Sequence, residues 1–145
     1  MYKLIILTLL ILFPNISLAA NKVYGNIEYA QYVRNYDGDT ITFNIPNIHP
    51  LFGHKINIRV YGIDTPEIRG KCLREKELAK HCKHFVENHL RKAKKIELKN
   101  TRRDKYFRVL CDVFIDDKSL ADILIKSTYA VPYDGGKKTK DWCND

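Results

Sequence analysis

A chain of 145 residues with 25 Lys+Arg against 17 Asp+Glu, a formal net charge of +8, has room for one hydrophobic core and none for a second catalytic module. Its 45% hydrophobic and 29% charged residues make a globular composition and exclude a disordered chain. The basic surplus attracts polyanions, with nucleic acid the commonest and anionic lipid second.

Lys3 is followed by an apolar run from Leu4 to Phe13 broken only by Thr8, then by Pro14 and the small-residue stretch Ser17-Leu18-Ala19-Ala20. This reads as a signal peptide over residues 1–19, cut after Ala19 or Ala20. A membrane anchor is the competing reading, but the run is about half of the ~20 residues needed to cross a bilayer. The expected working unit is residues 20–145, an exported domain, periplasmic or secreted. It ends in a short basic C-terminal tail, and a monomer without a stable membrane anchor is expected.

Residues 27–35 and 40–45 are rich in Tyr, Val, Ile, Phe and Thr and flank Asp37-Gly38, a hairpin signal. Residues 47–53, with Pro50, His49 and a Gly, read as a loop. From Lys55 to Tyr61 the residues Ile56, Ile58 and Val60 alternate with polar neighbours, predicting a third strand. Between Leu73 and Leu90 the positions Leu78, Ala79, Cys82, Phe85, Val86 and Leu90 form one stripe of an amphipathic helix, with Glu75, Lys76, Lys80, Lys83, Glu87 and Arg91 on its outer face. Residues 96–99 and 107–115 read as strands. The second places Phe107, Val109, Cys111, Val113 and Ile115 on one face and Arg108 on the other. Lys118-Ser119 then opens a short helix reaching about Lys126. Five strands, mostly sequential and antiparallel, and two helices predict an α+β domain: a small closed barrel with helices packed at its side or end.

Four cysteines follow the signal segment: Cys72, Cys82, Cys111 and Cys143. An even number in an exported chain points to two disulfides, and the absence of a CxxC or CxxH cluster weighs against zinc. Cys82 lies on the buried helix stripe and Cys111 on the apolar face of a strand, which pairs them and leaves Cys72 for Cys143.

Three segments carry charge that a fold does not require. Asp37-Gly38-Asp39-Thr40 is a tight turn or part of a site. Arg59 precedes Asp64-Thr65-Pro66-Glu67, where Pro66 keeps Thr65 extended so that two carboxylates can face one centre; a helix start at Thr65 is the alternative. Asp104-Lys105-Tyr106-Phe107-Arg108 is a turn entering a strand, with Arg108 a surface residue or a functional one. Together they offer three acids, Asp39, Asp64 and Glu67, and two guanidinium groups, Arg59 and Arg108. Carboxylate and carbonyl oxygens suit a hard cation such as Ca²⁺, and planar Arg forks suit phosphodiester oxygens. Those are the parts for metal-assisted phosphodiester hydrolysis.

In the order Asp-Gly-Asp-Thr, Arg-x4-Asp-Thr-Pro-Glu and Asp-Lys-Tyr-x-Arg, from about Tyr32 to Tyr133, the chain resembles the staphylococcal nuclease (thermonuclease) family. The resemblance implies a five-stranded OB-fold barrel with helices and a Ca²⁺-dependent nuclease acting on DNA and RNA. It implies that Asp39 and Asp64 bind Ca²⁺ through side chains and Thr65 through its carbonyl. Glu67 then positions or deprotonates the attacking water, and Arg59 and Arg108 bind the scissile phosphate. Asp37 stands behind the metal ligands, while Lys105, Tyr106 and Tyr133 contact substrate. Departures from the type member are a longer stretch before Arg59, a shorter one between Glu67 and the helix, and no counterpart of its C-terminal helix. Residues 133–138 read as a basic arm on the substrate or a solvated tail. The alternative from another class is a non-catalytic OB module binding single strands or a protein partner through aromatics and a basic groove; retention of all five charged groups favours the enzyme.

Overall fold

Period-two alternation and one helical stripe leave their mark on the computed structural model, which describes residues 22–104 and 106–144. The expected signal segment, residues 1–19, and Lys105 lie outside the described residues. In chain order the elements are β1 (Gln31–Asn35), β2 (Thr40–Asn44), α1 (Pro50–Gly53), β3 (Ile56–Val60), β4 (Ile63–Asp64), α2 (Leu73–Lys92), β5 (Ile96–Arg103), β6 (Val109–Ile115), β7 (Lys118–Ser119), α3 (Leu120–Lys126) and β8 (Val131–Pro132).

The main sheet runs β1-β2-β3-β6-β5, with β7 paired to β6, and β4 pairs with β8 in a second small sheet. The pairings are mostly antiparallel, as expected, with one exception at the centre of the sheet: β3 and β6 run parallel, with Val60 opposite Cys111. A parallel pair needs a crossover, and α2 and β5 supply it. The segment ahead of β1 lies along β5, Ile27 N–H donating to Leu98 O at 2.8 Å and Ala30 N–H to Ile96 O at 2.9 Å. The domain is therefore α+β with a mixed sheet and three helices rather than two. The additional helix, α1, occupies the expected loop, where Pro50 takes the first helical position and His49 caps it.

Ile41, Phe43, Ile58, Val60, Leu98, Val113, Leu120 and Leu124 are buried in one core with Cys82, Val86 and Leu90 of α2. Two expectations fail here. Phe107 does not join the apolar face of β6: it sits in the turn before it at φ 61° and 79% exposed. Glu75 is not on the outer face of α2 but buried, its carboxylate accepting the Lys71 amide at 2.8 Å and the Glu67 amide at 3.2 Å. Those bonds satisfy a carboxylate that burial alone would penalise. They also bind residues 67–71 to the start of the helix. Gly70 makes room for them, because a Cβ there would lie 2.4 Å from the Glu75 carboxyl.

Cys72 and Cys143 form a disulfide, but Cys82 and Cys111 are free and buried. The pairing of those two does not form because Cys82 faces elsewhere. Its sulfur meets Gly38, where an added Cβ would stand 2.3 Å away, and it approaches the Tyr129 carbonyl. Burial pushes both thiols up to about 12, with nearby acids adding to the shift. Among the described residues no helix is long and apolar enough to cross a membrane.

Candidate active site

The Asp37-to-Thr40 turn is held by Asp37, whose Oδ1 accepts the Asp39 amide at 3.1 Å and the Thr40 amide at 2.8 Å. Gly38 is needed there for space rather than for a left-handed φ: a Cβ would meet Cys82 of α2 and the Thr65 side chain. The first two charged segments thus touch at one glycine. Pairing of β2 with β3 sets Thr40 opposite Arg59, and the Arg59 guanidinium reaches Asp39 Oδ1 at 2.5 Å. Asp39 is 1% exposed, and its other oxygen is buried without a hydrogen-bond partner. Burial, opposed by Arg59 and reinforced by Asp37 and Glu67, pushes Asp39 up to about 7. Burial also raises Asp37, against the amide bonds that it accepts.

On the opposite side β4 ends at Asp64, which is buried with Thr65. Asp64 Oδ2 accepts the Trp142 indole N–H at 3.3 Å. The Lys138 ammonium stands 2.6 Å from Asp64 Oδ1 and 2.6 Å from Glu67 Oε1. Burial alone would lower Lys138, but the two carboxylates prevail and hold it above the ordinary lysine range. The third segment is a self-contained turn. Asp104 accepts the Tyr106 and Arg108 amides and the Arg108 Nε–H at 2.7 Å. Burial works against Asp104's ionisation, yet these bonds keep it below the ordinary carboxylate range.

Arg59, Glu67, Tyr106, Arg108 and Tyr133 line one pocket of about 520 Å³ together with Lys138. Tyr133 turns its hydroxyl to the Gly136 carbonyl at 2.7 Å. Sequence reasoning passed over Arg102 and Arg103 among the pocket's basic side chains. Arg102 lies over the Tyr61 ring at 4.0 Å, one buried guanidinium nitrogen having no hydrogen bond and Asp112 standing 3.7 Å away. Lys138 was read as part of a basic arm on the substrate or a solvated tail; the signal that it is fixed was Cys143, five residues on.

The oxygen-rich acids fit a hard divalent cation in two respects: Asp39 has a buried oxygen without a partner, and Asp64 and Glu67 already share one cationic group. Asp39, Asp64 and Glu67 do not, however, each offer an oxygen within 4.8 Å of the others. Among the described residues the one trio of such ligands is Cys72, Glu75 and Cys143, where the two sulfurs are bonded to each other. The family model described as staphylococcal nuclease homologue matches residues 57–142, a span that takes in Arg59, Asp64, Glu67, Arg108 and Lys138. No curated protein matches the chain.

Proposed function

Because the chain belongs to the staphylococcal nuclease homologue family, we propose that it is an exported, Ca²⁺-dependent nuclease hydrolysing phosphodiester bonds of DNA and RNA. The observation that carries this reading is the convergence of Glu67 with Arg59 and Arg108 on one pocket, beside the buried acids Asp39 and Asp64. A degenerate binding module has no use for an acid and two guanidinium groups facing one cavity. On this reading the sheet is an OB barrel, a form supported by the hydrogen bonds that join β5 to the segment ahead of β1.

Asp39, Asp64 and the Thr65 carbonyl would hold the cation, with Asp37 fixing the turn that carries Asp39. When bound, the cation polarises a phosphoryl oxygen. Glu67, with its side chain 41% exposed at the pocket, orients a water and takes its proton as the oxygen attacks phosphorus; the P–O bond to the leaving nucleotide breaks, and that oxygen takes a proton from solvent. Arg59 and Arg108 hold the phosphoryl oxygens and meet the charge that grows there. Tyr106, Tyr133 and Lys105 bind the flanking nucleotide. The Cys72–Cys143 disulfide and the signal-like residues 1–19 support export, since such bonds persist in oxidising compartments.

Incubating the purified domain with plasmid DNA, with Ca²⁺ or with a chelator, tests the reading. Cleavage that requires Ca²⁺ is expected; retention of intact DNA by a protein that binds it would support the non-catalytic module instead.

A further inference from the structure

The chain places its own cation on its acidic pair. Lys138 bridges Asp64 and Glu67 at 2.6 Å to each, and the segment that carries it is anchored at both ends beside them. At one end β8 pairs with β4, setting Val131 opposite Asp64. At the other, Trp142 donates to Asp64 and Cys143 is bonded to Cys72, the cap of α2. Through Glu75 the first turn of that helix also holds the Glu67 amide. Residues 133–142 are therefore a closed strap across the site, with Lys138 on its inner side.

We propose that Lys138 is a tethered competitor for the divalent cation, and that the disulfide-held strap sets how tightly the site binds that cation. The inference rests on the reading of Asp64 as a cation ligand. An ammonium between two carboxylates supplies their charge balance while the divalent ion is absent. It has to leave Asp64 before that oxygen ligates, so apparent affinity is the intrinsic affinity reduced by the fraction of molecules with the ammonium displaced. Tethering raises the local concentration of the amine and makes it an effective rival despite its single charge. Cation binding then frees the Lys138 ammonium from the carboxylates within the pocket that it lines with Arg59 and Arg108, where its charge adds to phosphate attraction.

The test uses Ca²⁺ alone, by calorimetry on the disulfide-bonded protein without nucleic acid. Lys138→Gln is expected to bind Ca²⁺ about tenfold more tightly or better, the gain for an ion pair closed about nine-tenths of the time. Lys137→Gln removes the same charge one residue away and is expected to change affinity by less than about twofold, separating displacement from general electrostatics. Cys143→Ser loosens the strap with Lys138 retained and is expected to tighten binding as well. A second measurement follows acylation of the Lys138 amine by mass spectrometry: Ca²⁺ is expected to accelerate labelling of this residue in the wild-type protein. Equal Ca²⁺ affinity in wild type and Lys138→Gln, with Lys138 labelling unchanged by Ca²⁺, would overturn the competitor and leave the cation site standing. Weaker binding by Lys138→Gln would overturn it too, making Lys138 an organiser of the carboxylates. Ca²⁺ binding by neither protein would remove the cation reading itself and the inference with it.

Discussion

Arg59 and Arg108 face the same pocket from opposite kinds of support. Arg59 projects from a central strand, its side chain 11% exposed, and pairs with an Asp39 that burial and the Asp37 turn hold in place. Arg108 follows a turn held by hydrogen bonds to Asp104; its side chain is 48% exposed. The sheet side of the site is built into the core, so its geometry is inseparable from stability. The turn side is held by a few polar contacts and can be altered without disturbing the core.

The largest expected effects are on turnover and fall on both sides alike. Arg59→Lys, Arg108→Lys and Glu67→Gln should each lower kcat by about 10²- to 10³-fold, because a point charge cannot replace a bidentate fork and an amide cannot accept the water's proton. Steady-state hydrolysis beside a thermal melt checks this; near-normal kcat in folded variants would dissolve the proposed division of labour.

Stability should separate the two sides. Arg59→Ala removes the guanidinium that offsets burial at Asp39, so that the carboxyl is either buried ionised without a partner or has to take up a proton, and should cost up to about 3–5 kcal/mol in denaturant unfolding above pH 7. Reducing the disulfide, whose cysteines are 71 residues apart, should cost about 4 kcal/mol in the chain-entropy account. If Arg59→Ala unfolds at the wild-type midpoint, the sheet side is not the rigid half.

A pH series sharpens the same contrast. With Asp39 raised to about 7, the native state holds a proton that the unfolded chain gives up near pH 4. The stability associated with this group is present below that unfolded value and lost as pH rises through about 7. In chelator, unfolding free energy should therefore decline across this window, and Asp39→Asn should flatten the decline. A slope identical in the two proteins would assign it to other groups. The smallest effect belongs to the turn: Arg108→Ala breaks the solvent-facing pair with Asp104 and the contact with the Tyr106 ring, and should shift stability by less than about 1 kcal/mol in the same titration.

Much of this was legible in the chain. The stripe Ala79, Cys82, Val86 and Leu90 predicted α2 to within two residues of its end at Lys92, and alternation at Ile58 and Val60 found β3. Elements of two residues were not legible, because β4 and β8 exist only through each other: Ile63 and Pro132 lie far apart in sequence and have no local signal for pairing. Glu75 was misread for a related reason. A charged residue on a helix is ordinarily solvated, and only the arrival of the Glu67 and Lys71 amides makes its burial tolerable.

Local periodicity and the motif order were enough to determine the family, the α+β class and which acids and arginines were candidates, since each depends on residue type and short spacing. Tertiary structure decided what depends on long-range closure. It made β3 and β6 parallel, left Cys82 and Cys111 as separate buried thiols, and brought Lys138 against Asp64 and Glu67. Hydrophobic patterning specifies which side of an element is buried but not which distant partner covers it. For the strap that choice is made by a disulfide and a two-residue strand pair, whose partners lie about 70 residues apart in the chain.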